Sequence, residues 1–257
     1  YLSTYTGRDK AYYRSETDYE QNNENWQSKD KFHLGWGNIT SALRWNYLFS
    51  NKLFANTTLT YSNYLFDIDE KSSDKNLTTN KGDSSGLDYR SGIEDWGLKM
   101  DFDYFPAPNH RVKFGGNLIA HTFKPGILAF KESDAGNSAK IDTAYGNPNI
   151  SAQEMYLYLE DNIELSPRLS VNLGLHASGF MVDQTFYPSI QPRISARYMA
   201  TDRLSLKAAY SKMRQNIHLL SSSTINLPTD LWLPTTKKIK PQNSHQLALG
   251  GVYQVNP

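Results

Sequence analysis

The segment Trp96-Gly97-Leu98-Lys99-Met100-Asp101-Phe102-Asp103-Tyr104 puts an apolar or aromatic residue at every even position and glycine or charge at every odd one. Side chains repeat every second residue on a strand and every 3.6 residues on a helix. The alternation therefore predicts a strand with one oily and one wet face and excludes an amphipathic helix. After a turn at Pro106-Ala107-Pro108-Asn109, Val112, Phe114, Gly116, Leu118 and Ala120 alternate with Arg111, Lys113, Gly115, Asn117 and Ile119. The two runs predict an antiparallel hairpin.

The pattern recurs along the chain. Leu43, Trp45, Tyr47 and Phe49 enter a turn at Ser50-Asn51-Lys52, and Leu53, Ala55, Thr57, Leu59 and Tyr61 leave it. Met155, Leu157, Leu159, Ile163 and Leu165 precede Ser166-Pro167-Arg168, which Leu169, Val171, Leu173, Leu175 and Ala177 follow. Ile190, Pro192, Ile194, Ala196 and Tyr198 precede Thr201-Asp202-Arg203, then Leu204, Leu206, Ala208 and Tyr210. A last run carries His245, Leu247, Leu249, Gly251, Tyr253 and Val255. These runs predict nine strands, with Tyr1 to Tyr13 as a tenth.

The connections alternate between short turns and long polar links near 14–38, 67–92, 124–151 and 215–243, with the brief link at Asp183 to Tyr187 as the exception. That asymmetry is expected of an up-and-down barrel of the bacterial outer membrane, whose periplasmic turns are short and extracellular loops long. No run approaches the roughly 18 apolar residues of a spanning helix, whereas a spanning strand needs only about 9 to 11, half of them polar. A negative mean hydropathy together with 17 Tyr, 11 Phe and 5 Trp fits this reading. Trp96 and Tyr104 would bracket roughly 20 Å of one oily face, close to the apolar band between two aromatic girdles, with Trp45, Tyr47 and Phe49 in the periplasmic one. The fold class expected is thus all-β, an antiparallel transmembrane barrel seen here as nine or ten strands.

A formal charge of +1, with basic and acidic residues interleaved, argues against a nucleic-acid partner. Without cysteine there are no disulfides or thiolate chemistry. The chain starts at Tyr1 without a leader and stops at Asn256-Pro257 in a turn-like sequence, which reads as an internal piece of a longer protein.

Tyr187-Pro188-Ser189-Ile190-Gln191-Pro192-Arg193-Ile194, with Leu204-Ser205-Leu206-Lys207-Ala208-Ala209-Tyr210, resembles the barrel of a TonB-dependent receptor. Leu227-Pro228-Thr229-Asp230-Leu231-Trp232-Leu233-Pro234, Ile239-Lys240-Pro241 and Ser244-His245-Gln246 resemble the loop and following strand of Bacteroidetes-type receptors, and residues 40–65 share that character. The resemblance implies a barrel of about 22 strands. It also implies a plug domain and TonB-contacting segment outside this sequence, and a nutrient ligand captured at extracellular loops and imported with TonB-derived energy. Partners implied are outer-membrane lipid, TonB through the plug and a surface lipoprotein, with no enzyme activity and no cofactor.

Candidate sites follow in two groups. Trp232, Asp230 and His218 in the last long link would bind ligand, against the plainer reading that they pack the loop. Lys99, Asp101, Asp103, Lys113, Glu160, Arg193, Arg197 and Lys207 would face the lumen and hold the plug, or simply solvate a polar lumen. Asp67, Asp69, Glu70 and Asp74 offer oxygens to calcium but lack the glycine and closing Glu of a calcium loop, so no metal site is expected. His121 and His176 face inward. Rival readings are a passive porin or adhesin, a rim enzyme built on His218 with Asp230 or His33 with Asp30, and a soluble carbohydrate-binding β-protein.

Overall fold

The computed structural model describes residues 1–134, 140–146, 149–220 and 231–255. The strands are β1 (Leu2–Gln21), β2 (Glu24–Ser50), β3 (Leu53–Asn76), β4 (Gly82–Tyr104), β5 (His110–Asp134), β6 (Lys140–Gly146) and β7 (Ile150–Ser166). They continue with β8 (Leu169–Val182), β9 (Thr185–Met199), β10 (Leu204–Gln215), β11 (Ile217–Leu220), β12 (Leu231–Pro234) and β13 (Gln242–Tyr253). One antiparallel sheet runs β1-β2-β3-β4-β5-β7-β8-β9-β10-β13, with β6 added along the upper part of β5 and β11–β12 forming a separate hairpin. Each long strand pairs with the next in sequence, the up-and-down order that alternation with tight turns predicts. All nine expected strands and the tenth from the N-terminal run are present, and β1 and β13 are the two edges of the arc.

The register sorts the residues into two faces. Leu2, Leu43, Leu59, Leu98, Leu118 and Met155 form one cross-strand row, and Met100, Gly116, Leu157, Ala177 and Ile190 another on the same face. These side chains are unusually open for apolar groups, with Leu157 at 70% and Leu249 at 77% exposure. An apolar surface of this extent belongs against hydrocarbon. Its upper boundary is the Tyr61–Trp96 ring pair at 4.6 Å, and its lower boundary holds Tyr47–Phe49 at 4.7 Å and Phe102–Phe114 at 4.9 Å.

Above the upper ring pair the structure departs from expectation in detail. The segments near 14–38 and 67–92, expected as loops, are paired strand almost throughout, turning only at Asn22-Asn23 and at Leu77–Lys81. Asn22 and Asn23 have φ of 54° and 62°, the left-handed pair that a two-residue hairpin turn needs and asparagine tolerates. Asp183 and Gln184 make a similar turn between β8 and β9, with φ of 47° and 57°. Within 124–151, β5 continues to Asp134 and β6 pairs back onto it. Above the membrane neither face is uniformly apolar, since Phe32, Leu34, Trp36, Phe66 and Ile68 share the inner face with Asp30, Glu70 and Asp74, so alternation leaves only a broken hydrophobic trace there.

Two irregularities matter further up. The β4–β5 register slips between Arg90 and Gly92, and Gly126, opposite, takes φ 113° beside the Tyr89 ring. This is a bulge in a conformation that a Cβ disfavours. On β9, the ladder to β10 ends at Arg193↔Ser211 although both strands continue upward. Pro188 and Pro192 lack amide hydrogens on the same edge, and the Pro188 carbonyl points toward β10, where it accepts from Arg214 Nη1. Of the three positions 188, 190 and 192 on that edge, two lack a donor where the ladder stops.

Candidate functional site

The second face of the sheet is polar, and a small core closes its upper end. Phe123, Ala152, Phe180, Val182 and Tyr187 are buried there, with Ile93, Ile150 and Ile217 packed against them. The β11–β12 hairpin lies over this core: β12 packs on β4 and β5, and Tyr187 Oη donates to Thr236 O at 3.0 Å. Lys240 Nζ stands 5.7 Å from the Tyr187 ring centre.

Beside the hairpin is a cavity of about 810 Å³, lined by Ile93, Asp95, Glu154, Asn216, Trp232 and Gln242 among others. Behind its acidic wall sits His121, 4% exposed, with Nδ1 2.8 Å from Asp95 Oδ1 and Nε2 3.6 Å from Glu154 Oε2. The Phe123 and Phe180 rings flank the imidazole at 5.7 and 6.2 Å. Asn216, also 4% exposed, donates from Nδ2 to Glu154 Oε1 at 3.5 Å, while its Oδ1 is buried without a hydrogen-bond partner. The cavity therefore presents two carboxylates and an indole, with the Asn216 Oδ1 closed off from it. Arg214 also lines it, but its guanidinium is engaged by the Pro188 carbonyl. Such a lining suits a ligand with hydrogen-bond donors or positive charge and an apolar surface for the Trp232 ring.

Of the sequence candidates, Trp232 lines this cavity, whereas His218, on β11 of the hairpin itself, is buried with Nε2 3.1 Å from Thr235 Oγ1. Asp230 lies outside the described residues. Lys99, Asp101, Asp103, Lys113, Glu160, Arg193, Arg197 and Lys207 all project from the polar face by register. Lys99 pairs with Asp101 at 3.0 Å, Arg111 with Asp103 at 3.3 Å, and Lys113 reaches Asp103 at 4.0 Å. Tyr158 donates to Asp101 at 2.6 Å, and Glu160 accepts from Asn172 at 2.8 Å. Arg193, Arg197 and Lys207 have no ion pair among the described residues, although Arg197 and Lys207 stand directly opposite each other.

His121 and His176 are both on the polar face; His176 stacks on Tyr156 at 4.6 Å and its Nδ1 is unpartnered. The acidic run at 67–74 does not converge, because strand alternation sends Asp67 and Asp69 to one face and Glu70 and Asp74 to the other. Asp95, Glu154 and Asn216 were not singled out from sequence. Asp95 continues the odd-numbered polar set of Lys99, Asp101 and Asp103, so its face was readable. Its neighbours across the cavity depend on strand order.

Comparison with curated proteins finds no match. Among solved structures, the chain is similar to BauA, the ferric preacinetobactin receptor of Acinetobacter baumannii, at 11% identity, covering 97% of this chain and 45% of that one with a TM-score of 0.48. It is also similar to the siderophore receptor PirA of Pseudomonas aeruginosa, at 12% identity over 98% of this chain and 50% of that one, TM-score 0.41. A third is the copper transporter OprC, at 10% identity over 99% and 52%, TM-score 0.44. The chain spans about half the length of these proteins. The family model for the TonB dependent receptor-like β-barrel matches residues 1–256, and the chain belongs to that family.

Proposed function

We propose that this chain is the wall and part of the mouth of a receptor that takes a nutrient ligand at its extracellular end and imports it with energy delivered through TonB. Membership of the family makes it an outer-membrane receptor or transporter of a Gram-negative bacterium. The ligand and the energy coupling are the proposed part. The short turns lie at the periplasmic rim, the tall hairpins are extracellular, and the polar face lines the lumen. The likeness of 227–246 to Bacteroidetes-type receptors, and a surface lipoprotein partner, belong to the same proposal.

The observation that carries the reading is the division of labour along the polar face. At its upper end is a cavity walled by Asp95, Glu154 and Trp232. Near its lower end Arg197 and Lys207 face each other without a carboxylate. Like charges directly opposite cost stability unless a partner meets them. A plug carried elsewhere in the polypeptide would supply that partner, and completion of the barrel by further strands would pair the edges of β1 and β13, as lipid requires.

The test uses the full-length receptor in planar bilayers. Wild-type protein should stay closed to small ions, and Arg197→Glu with Lys207→Glu should produce intermittent conductance by loosening the plug. A wild-type channel that conducts steadily would overturn the import reading in favour of a passive porin.

A further inference from the structure

We propose that the outer face of the tall wall, the upper halves of β1 to β5, carries a phosphate-binding pocket at Lys31, Lys71 and Lys131. Its ligand is the phosphorylated sugar chain of a glycolipid anchored in the surrounding outer leaflet. The pocket lies on the membrane side of the wall, so it stands apart from the import reading and rests only on the outer-membrane setting of the family.

The register decides where charge goes. Above the Tyr61–Trp96 ring pair, every lysine and arginine of β1 to β5 lies on the face continuous with the lipid-facing rows, from Arg8 and Lys10 to Lys124 and Lys131. None lies on the face continuous with the lumen, although acids occur on both. Solvation does not demand this, because both faces stand in water there. On the outer face one cross-strand row reads Arg14, Lys31, Lys71, Gly86 and Lys131 from β1 to β5. Its first three members are bases placed directly opposite one another, an arrangement that costs cross-strand stability unless an anion meets it.

The same row forms part of a cavity of about 560 Å³, which Lys29 joins from the row above. Gly86 sits between the lysines. A Cβ there would come no nearer than 3.6 Å to Glu70 O, 3.8 Å to Lys71 Cγ and 4.0 Å to Lys131 Cβ. A side chain would therefore fit, and its absence leaves open the space between two lysine stems. The row above is lined with hydroxyls, Ser73 opposite Ser84 and Ser84 opposite Ser133, with the last two oxygens 3.0 Å apart.

The carboxylates nearby leave part of this charge unmet. Glu16 holds Lys29 at 2.9 Å and Arg14 at 3.5 Å, and Asp69 holds Lys71 at 2.9 Å. Asp88 lines the cavity but shares its hydrogen bond with Asp69. Lys31 and Lys131, on either side of Gly86, take part in no ion pair among the described residues.

Open ammonium groups beside hydroxyls suit an oxyanion. A phosphate ester brings three acceptor oxygens and close to two charges, more than a carboxylate offers to several lysines. Height then selects the source. Lys71 follows Tyr61 by ten residues on β3. At about 3.3 Å per residue and a tilt near 40°, the pocket stands roughly 25 Å above the aromatic boundary. A headgroup resting on its acyl chains stays below that level, whereas a sugar chain rising from the leaflet on the same side of the wall reaches it.

The experiment uses full-length receptor in phospholipid nanodiscs, titrated with fluorescent lipopolysaccharide that carries a phosphorylated core, with the same material after removal of its core phosphates, and with inorganic phosphate as competitor. Binding of the phosphorylated form should be salt-sensitive and about tenfold weaker in Lys31→Gln with Lys131→Gln. Lys10→Gln with Lys75→Gln, bases of the same face outside the cavity, should leave it unchanged. Gly86→Glu places a carboxylate in the lysine row, so it should weaken binding about tenfold while raising the thermal midpoint. Heat-modifiable migration on gels checks that each variant is folded. Equal losses in the two lysine pairs, undiminished binding of the dephosphorylated form, or a Gly86→Glu receptor that binds as wild type would overturn the proposal. Displacement by inorganic phosphate at an equal phosphate concentration would overturn the anchored source and leave a pocket for free anions.

Discussion

His110 Nδ1 lies 2.7 Å from Asp161 Oδ2 on the apolar face of the sheet, near the lower end of neighbouring strands β5 and β7. Asp161 interrupts the lipid-facing series Met155, Leu157, Leu159 and Ile163, and its Oδ1 is buried without a partner. A carboxylate there is sustained by its imidazole neighbour, because a lone charge against hydrocarbon is costly. His110→Leu alone should destabilise the barrel by about 3 to 5 kcal/mol, whereas His110→Leu with Asp161→Leu should recover most of the loss. Urea unfolding from lipid vesicles measures both. A double variant as unstable as the single one would mean that the two residues do not act as a pair.

Arg214 closes the seam that the prolines open. Its backbone N–H donates to Gln191 Oε1 at 3.1 Å and its guanidinium reaches the Pro188 carbonyl, in place of ladder bonds between β9 and β10. Arg214→Met should raise amide exchange about tenfold in 185–192 and 212–215 and leave the ladder below Arg193↔Ser211 unchanged. Exchange that rises equally along both strands would show that the seam is not a separate unit.

Asp69 and Asp88 stand opposite each other on the outer face of the tall wall. The hydrogen bond that Asp88 shares with Asp69, then partial burial and the Asp69 charge, hold the Asp88 carboxyl above its usual range. A raised folded-state value means that this interaction is fully present below the ordinary carboxylate pKa of about 4 and is lost as pH rises through the raised one. At neutral pH the charged pair repels, so Asp88→Asn should stabilise the wall by roughly 0.2–1 kcal/mol there. The gain should vanish below about pH 4. Thermal unfolding at both pH values checks the sign, and an equal gain at both would exclude charge as the cause.

The membrane band was legible because one face had to be apolar. Trp96 through Tyr104 gives strand, face and height together, and His121 could be placed inward from the same parity. The tall wall was not legible, since Lys29, Lys31 and His33 alternate with Ser28, Asp30 and Phe32 and neither series looks like a core. Pairing there is set by the turns at Asn22-Asn23 and Leu77–Lys81, which fix register without hydrophobic contrast. In the cavity, Trp232 was accessible from its place in a long link. Asp95 and Glu154 come together only through the β5 rows His121↔Ala152 and Ile119↔Glu154, a relation between distant segments that local periodicity does not encode.

The strands also differ in length from one side of the arc to the other. β2 runs for 27 residues and β8 for 14, both from the same row of lower turns. At about 3.3 Å per residue and a tilt near 40°, the rim drops by roughly 30 Å between them. The upper rim of the arc is therefore a step and not a level edge, so a flat body laid across it would touch the high side alone.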